Sequence, residues 1–224
     1  MIDWEPLVLT FKLASITTII LLIISIPLAY WLTGTQSYFK TVIETLVSMP
    51  LVLPPTVLGF YLLVLFSPSN KFGQWIDNWL GLRLVFSFHG LVIASTIYSL
   101  PFMVHSIQSG LSNLPPSLAE ASYILGKSRI TTLFKILLPN IKPALLTGTV
   151  LSFAHTIGEF GVVLMIGGNI PGKTKVASIF IYDQVESLNY SLANIYSLIL
   201  FALSFTILLL VYLVNNRRFS RMKV

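Results

Sequence analysis

From Leu13 to Phe39 the chain carries no Asp, Glu, Lys or Arg. A run of that kind has few destinations. About 20 apolar residues in helical form cross the hydrocarbon core of a bilayer, whereas a helix on a soluble domain keeps one polar face. A membrane span is therefore expected over residues 7–32, with Lys12 close enough to its start to snorkel and Pro27 placed to kink its far end. Further spans are expected over 46–66, 90–110, 143–165 and 192–214. Charged residues make up only 10% of the 224, against about 25% in an ordinary globular chain. Five spans leave no room for an additional soluble domain, so the chain reads as one all-α transmembrane domain over 1–224.

Several function classes fall away at once. No cysteine is present, which excludes a disulfide, a thiol nucleophile or a thiolate metal site. The net charge of +6 does not call for nucleic acid, because the basic residues are thinly spread and gather only at span ends, where they set orientation. Residues before Leu7 include Asp3 and Glu5 but no Lys or Arg, unlike the positive start of a cleaved leader. With five spans the termini lie on opposite sides. An outer N-terminus gives the inner segments nine Lys or Arg and the outer ones five, so a cytoplasmic C-terminus, with Arg217, Arg218, Arg221 and Lys223, is expected.

Two spans contain breaks. The string MPLVLPPTVLG holds Pro50, Pro54 and Pro55, each lacking a donor and clashing with the turn before it. Broken backbone at membrane depth is tolerated only where protein or an aqueous cavity covers it. Residues 50–59 are thus expected to face the bundle interior, as part of a substrate path or a moving joint. In the fourth span His155 and Glu159 are four apart and so expected on one helical face. Ionisable groups in a span point to function by default. As a metal site the pair lacks a third ligand and a nearby base. Gly158-Glu159-Phe160-Gly161 instead favours a gate or a break in the helix, since the glycines permit close backbone approach. His105 reads as hydrogen-bonded within the bundle. Residues 67–89 form a polar excursion with a short surface helix, and Trp75 and Trp79 suit the membrane interface.

The stretch 116–139, PSLAEASYILGKSRITTLFKILLP, is polar enough to meet another protein in water. Ser117 followed by Glu120 predicts a capping box, and Leu118, Ala121 and Leu125 form a narrow apolar stripe. Gly126 stands where a left-handed C-terminal cap is wanted. Ser128 caps a second helix whose apolar face is Ile130, Leu133, Phe134, Leu137 and Leu138, and Pro139 is expected to end it.

Glu120-Ala121-Ser122, then Gly126, then Ile136 to Pro139 resemble the E-A-A-x3-G-x9-I-x-L-P signature of the permease subunits of binding-protein-dependent ABC importers. Ser122 departs from the pattern's second Ala, but both are small. Proline-rich 50–55, Gly158 to Gly161, and Asn169-Ile170-Pro171-Gly172 with Thr174 are most similar to the molybdate branch of that family. The resemblance covers about residues 4–215. It implies a type I importer permease fold, with 116–139 as the coupling segment that docks on an ATPase subunit. It further implies a non-catalytic subunit of the inner membrane, paired with a second copy, two ATPase subunits that bind ATP and Mg, and a soluble molybdate-binding protein. No phosphate-binding loop of the form G-x-x-x-x-G-K-[ST] occurs, consistent with energy from a separate subunit. Tungstate or sulfate is an alternative cargo, since no residue distinguishes them. A remote alternative is an intramembrane metalloenzyme built on His105, His155 and Glu159; neither a catalytic nor a metal residue is assigned. Lys173 and Lys175 in the outer loop suit an oxyanion or an acidic partner. At about 6 Å and an effective dielectric of about 20, an ionised Glu159 repels a dianion by roughly 5 to 6 kcal/mol, so Glu159 is not expected to be a substrate ligand.

Overall fold

Helix breakers divide the chain. The computed structural model describes residues 3–221, in which the elements are α1 (Glu5–Gly34), α2 (Tyr38–Val52), α3 (Pro55–Phe66), α4 (Lys71–Leu80), α5 (Phe88–Ser112), α6 (Ser117–Ile124), α7 (Arg129–Thr132), a π-helical turn (Leu133–Leu137), α8 (Leu138–Asn140), α9 (Lys142–Ile157), α10 (Gly161–Gly167), α11 (Ala177–Glu186) and α12 (Tyr190–Arg221). No strand occurs among the described residues. Prolines open α1, α3 and α9 in their first turns, where the missing N–H had no partner to lose. Pro27 lies inside α1 without ending it. Lys223 lies outside the described residues.

The centre is α1, α5 and α9, each packed on the other two. Small side chains allow the approach: a Cβ on Gly110 of α5 would stand 2.6 Å from Ala144 Cβ, and one on Gly148 of α9 would stand 2.9 Å from Ser106 Cβ. Close contact of backbones is the usual basis of helix association where lipid removes the hydrophobic drive. The core is layered along the spans. At one end Leu13, Leu62, Ile76, Leu91, Val162 and Ile179 join α1 to α3, α4, α5, α10 and α11. At the other, Leu21, Leu32, Met103, Ile107, Leu133 and Ile141 join α1 and α5 to the segment around the π turn.

Three helices are long and apolar enough to cross a membrane, α1, α5 and Tyr190–Leu210 of α12, or up to five if each of two bent pairs counts as one span. The segment expected over 46–66 is one such pair, α2 and α3 meeting at 115°. The second pair is residues 129–140 with α9, bent by 80° around Ile141. The segment 143–165 is α9 and α10 with a break between them, and α12 extends beyond 192–214 at both ends.

Candidate functional site

The two breaks meet. After α2, Leu53 and Pro54 are extended, with ψ of 135° at both. Pro54 and Pro55 force this, because each proline disfavours the helical region for the residue before it. After α9, Gly158 keeps a helical backbone but Phe160 leaves it, at φ −128° and ψ −61°, and α10 restarts at Gly161. α10 lies directly on α3. A Cβ on Gly161 would be 2.9 Å from Pro55 Cβ and 3.3 Å from Thr56 N, while one on Gly59 would be 2.8 Å from Met165 Cβ. Between the breaks opens a cavity of about 470 Å³ bordered by Pro55, Thr56, Tyr98, His155, Glu159 and Phe160. Residues about a hundred positions apart thus face one space. Pro50 is buried inside α2 and does not border it; Pro54 sits at the N-cap of α3.

His155 and Glu159 do not share a helical face as expected, because α9 ends at Ile157 and Glu159 belongs to the break. His155 Nδ1 lies 2.9 Å from Ser99 Oγ, which also pairs with Thr156 Oγ1 at 3.1 Å. Its ring packs at a tilt against both Tyr98 and Phe102, with centroids 4.7 and 4.3 Å away. Glu159 is 4% exposed, and neither carboxylate oxygen has a hydrogen-bond partner among the described residues. Its carbonyl accepts from Ser178 Oγ at 2.6 Å. Among the described residues no three His, Asp or Glu side chains converge as a metal site. His105 Nε2 pairs with Ser48 Oγ at 3.0 Å. The hydroxyl beside His155, that of Ser99, is fully buried and does not border the cavity, whose position suits it to admitting a small solute between two interrupted helices.

The segment 116–141 folds into two helices with a sharp turn. Ser117 is not the cap expected of it. Pro116 occupies the N-cap position at φ −55° and ψ −31°, already helical, and no side-chain cap bond forms. Two consecutive prolines start the turn themselves, with the Pro116 carbonyl accepting from Ala119 and Glu120. Glu120 is exposed in the first turn, where its charge complements the helix dipole. At the other end Gly126 is left-handed at φ +71°. Lys127 N donates to Ser122 O at 3.1 Å and Gly126 N to Tyr123 O at 2.9 Å, the paired bonds of a Schellman turn. Ser128 Oγ accepts from Thr131 N at 3.2 Å and so caps α7. Ser122 is buried and its hydroxyl pairs with Thr132 Oγ1 at 2.8 Å, pinning α6 to α7.

Pro139 does not end the second helix, which runs on to Asn140. The backbone adapts upstream, where the π turn covers Lys135, the residue whose carbonyl the proline ring would strike. Asn140 Nδ2 meets the Ile136 carbonyl at 2.7 Å. The expected apolar stripes are only half covered: Leu133, Leu137 and Leu138 are buried, whereas Ile124, Leu125, Ile130 and Phe134 are exposed. Ala121 lies on the same exposed side.

The loop after α10 is tightly built. Thr174 Oγ1 accepts from Ile170 N at 2.9 Å and donates to Gly167 O at 2.7 Å. Asn169, at φ +56°, donates to both carboxylate oxygens of Asp183. Lys175 pairs with that carboxylate at 2.7 Å within the chain, instead of waiting for an external acid. Gly172 is left-handed and approaches the Glu5 carboxylate; Pro171 is exposed. On the neighbouring α11, the Tyr182 hydroxyl donates to Glu186 at 2.9 Å, a bond that raises the phenol pKa.

Sequence reasoning missed a polar stripe on α2. Thr41, Glu44, Thr45 and Ser48 border an open groove of about 500 Å³. Behind it Gln108 donates to Glu44 at 2.6 Å, and Lys40 approaches the same oxygen at 4.0 Å. The signal was their i, i+3, i+4, i+7 spacing.

Comparisons with known proteins agree along the chain. The family described as binding-protein-dependent transport system inner membrane component matches residues 22–221. The molybdenum transport system permease protein ModB of Azotobacter vinelandii is 44% identical over 219 residues, 97% of this chain and 96% of its own. A putative molybdenum transport system permease protein of Bacillus subtilis, YvgM, is 36% identical over 92% of this chain and 90% of its own. The sulfate transport system permease protein CysT of Escherichia coli is 34% identical over 87% and 69%. In fold, the chain superposes on a bacterial ABC transporter that imports alginate with a TM-score of 0.77, covering 95% of this chain and 78% of that one at 17% identity.

Proposed function

The chain belongs to the binding-protein-dependent transport system inner membrane component family, and from that premise we propose that it is the membrane-spanning subunit of an ATP-driven importer of molybdate. It is a permease subunit without catalysis of its own, ATP hydrolysis residing in a separate subunit. Molybdate is favoured over sulfate because the molybdenum permease matches at higher identity and over nearly its whole length.

The observation that carries the mechanism is the cavity where the α2–α3 and α9–α10 breaks meet. A helix interrupted at membrane depth lines a water-filled space or a moving joint, and two such interruptions side by side build a gate. In this reading two copies of the chain enclose the path, with the N-terminus outside and the C-terminus in the cytoplasm. A soluble binding protein delivers the anion, and the exposed Ile124, Leu125, Ile130 and Phe134 around Gly126 dock on the ATPase subunits with ATP and Mg. Glu159, whose carboxylate is buried without a hydrogen-bond partner among the described residues, shapes the gate and does not ligate the anion.

The test is reconstitution with the ATPase and binding protein in liposomes, measuring ATP hydrolysis and uptake with molybdate, tungstate and sulfate in turn. Hydrolysis stimulated by loaded binding protein and by molybdate or tungstate is expected. Equal stimulation by sulfate sinks the molybdate assignment. Hydrolysis indifferent to the binding protein sinks the importer reading.

A further inference from the structure

α4 packs one face on the end of the bundle. Gly73 and Ile76 are buried, and Gly73 lies so close to the end of α3 that a Cβ there would collide with the Ser67 carbonyl. The face beside it is aromatic, continuing from the buried Phe66 at the end of α3. Phe66, Phe72, Trp75 and Trp79 form a continuous ladder with successive ring centroids 6.1, 6.3 and 6.3 Å apart. The exposure grows outward along it, to 78% at Trp79, and Leu80 next to it is exposed as well.

Such a contiguous exposed patch marks an interaction surface. Three observations choose the partner. Only Ser67 to Asn70 separate α4 from α3, at most about 14 Å of extended chain, so α4 cannot leave the end of the span. Its only charged residues are Lys71 and Asp77, so the helix offers no field to steer a charged protein. Its exposed aromatic side chains are two indoles and a phenyl ring, flanked by the exposed polar Lys71, Gln74 and Asn78, and Trp is the residue that prefers the level of lipid headgroups.

We infer that α4 is an interfacial anchor lying in the headgroup region of the bilayer, with Phe72, Trp75 and Trp79 seated in lipid, and that through Gly73 it holds the end of α3 at a fixed depth. Because α3 leads back to Pro55 and Thr56 at the cavity, the anchor gives one half of the gate a reference point in the membrane. The inference requires only that the chain crosses a bilayer and stands whatever the cargo.

The absence of native cysteine makes the test direct. Trp79→Cys is labelled with a nitroxide in the full chain, in phosphatidylcholine vesicles, and its collision with oxygen is compared with that of a water-soluble nickel chelate. A second preparation carries Trp4→Phe and Trp31→Phe, leaving Trp75 and Trp79 as the only indoles, and is quenched by lipids brominated at different depths. A label and indoles reached by both relaxants at headgroup level, quenched most by lipid brominated near the glycerol, are expected. Water-like emission untouched by brominated lipid overturns the inference. So does emission that shifts on adding the soluble binding protein, or on cross-linking two copies, without lipid quenching.

Discussion

Replacing Gly126 by valine changes a backbone preference and almost nothing else. A Cβ at this position meets no atom within 4 Å, so crowding contributes no cost. What remains is φ of +71°, a region that costs an ordinary L-residue about 1–2 kcal/mol; the full range for backbone held in such regions is about 1–3 kcal/mol, with β-branched side chains toward its upper end. The chain escapes the strain by unwinding the last turn of α6, giving up the Lys127-to-Ser122 and Gly126-to-Tyr123 bonds. At about 1.4 kcal/mol per factor of ten, the formed turn loses about 5- to 150-fold in population against the unwound one. Asparagine tolerates the left-handed region and serves as the control. In proteoliposomes with ATPase and binding protein, the valine variant is expected to insert normally yet to take up less molybdate per ATP hydrolysed, while Gly126→Asn stays near the parent. If valine and asparagine variants transport alike, the turn has no mechanical part in coupling.

Three smaller perturbations test other contacts. Gly161→Ala places a methyl group 2.9 Å from Pro55 Cβ and is expected to destabilise the α3–α10 seam by about 1–3 kcal/mol, read as a lower melting temperature in detergent together with slowed uptake. Ser122→Ala removes the hydroxyl pair with Thr132, but Thr132 still donates to the Ser128 carbonyl; a loss of about 0.5–1.5 kcal/mol in thermal stability is expected, with coupling retained. Thr174→Val keeps the shape but strands Ile170 N–H and the Gly167 carbonyl, at about 1–3 kcal/mol. Faster proteolysis of the loop after α10 checks this, and an unchanged cleavage rate would remove Thr174 from the loop's support.

What was legible in the residues was what local stereochemistry decides. Pro54 and Pro55 interrupt a helix wherever they are placed, Gly126 suits a left-handed cap, and Ser128 caps α7 because its hydroxyl reaches an amide three residues on. Local signals misled where two of them competed. Ser117 and Glu120 have capping-box spacing, but Pro115 and Pro116 supply a helical start one residue earlier. His155 and Glu159 have helical spacing, but α9 ends at Ile157, between them. The partners of the polar residues were beyond reach for a different reason. Ser48 with His105, Ser99 with His155 and Glu44 with Gln108 lie 57, 56 and 64 residues apart, and such pairs depend on how α5 packs against α2 and α9. Hydropathy makes every span apolar without saying which face meets which.

The glycine contacts also decide where the fold can bend. α9 is tied to α5 along its length, by Gly110 against Ala144 and Gly148 against Ser106, while α10 is tied to α3 by Gly161 and Gly59. Each pair is packed too closely to slide without separating. Between them stand Gly158, Glu159 and Phe160, and a Cβ on Gly158 would find nothing nearer than 3.8 Å. Relative motion of the two pairs is therefore taken up at this break. α9 also starts at the bend after Asn140, where the segment carrying Gly126 ends, and its 16 residues form a rod of about 24 Å. In the proposed mechanism a displacement of the Gly126 turn reaches the break through that rod. The side chains it moves are His155 and Glu159, on the wall of the cavity opposite Pro55 and Thr56. In the proposed mechanism one helix joins coupling segment to gate, and Glu159, a buried carboxylate with no hydrogen-bond partner among the described residues, sits at the joint.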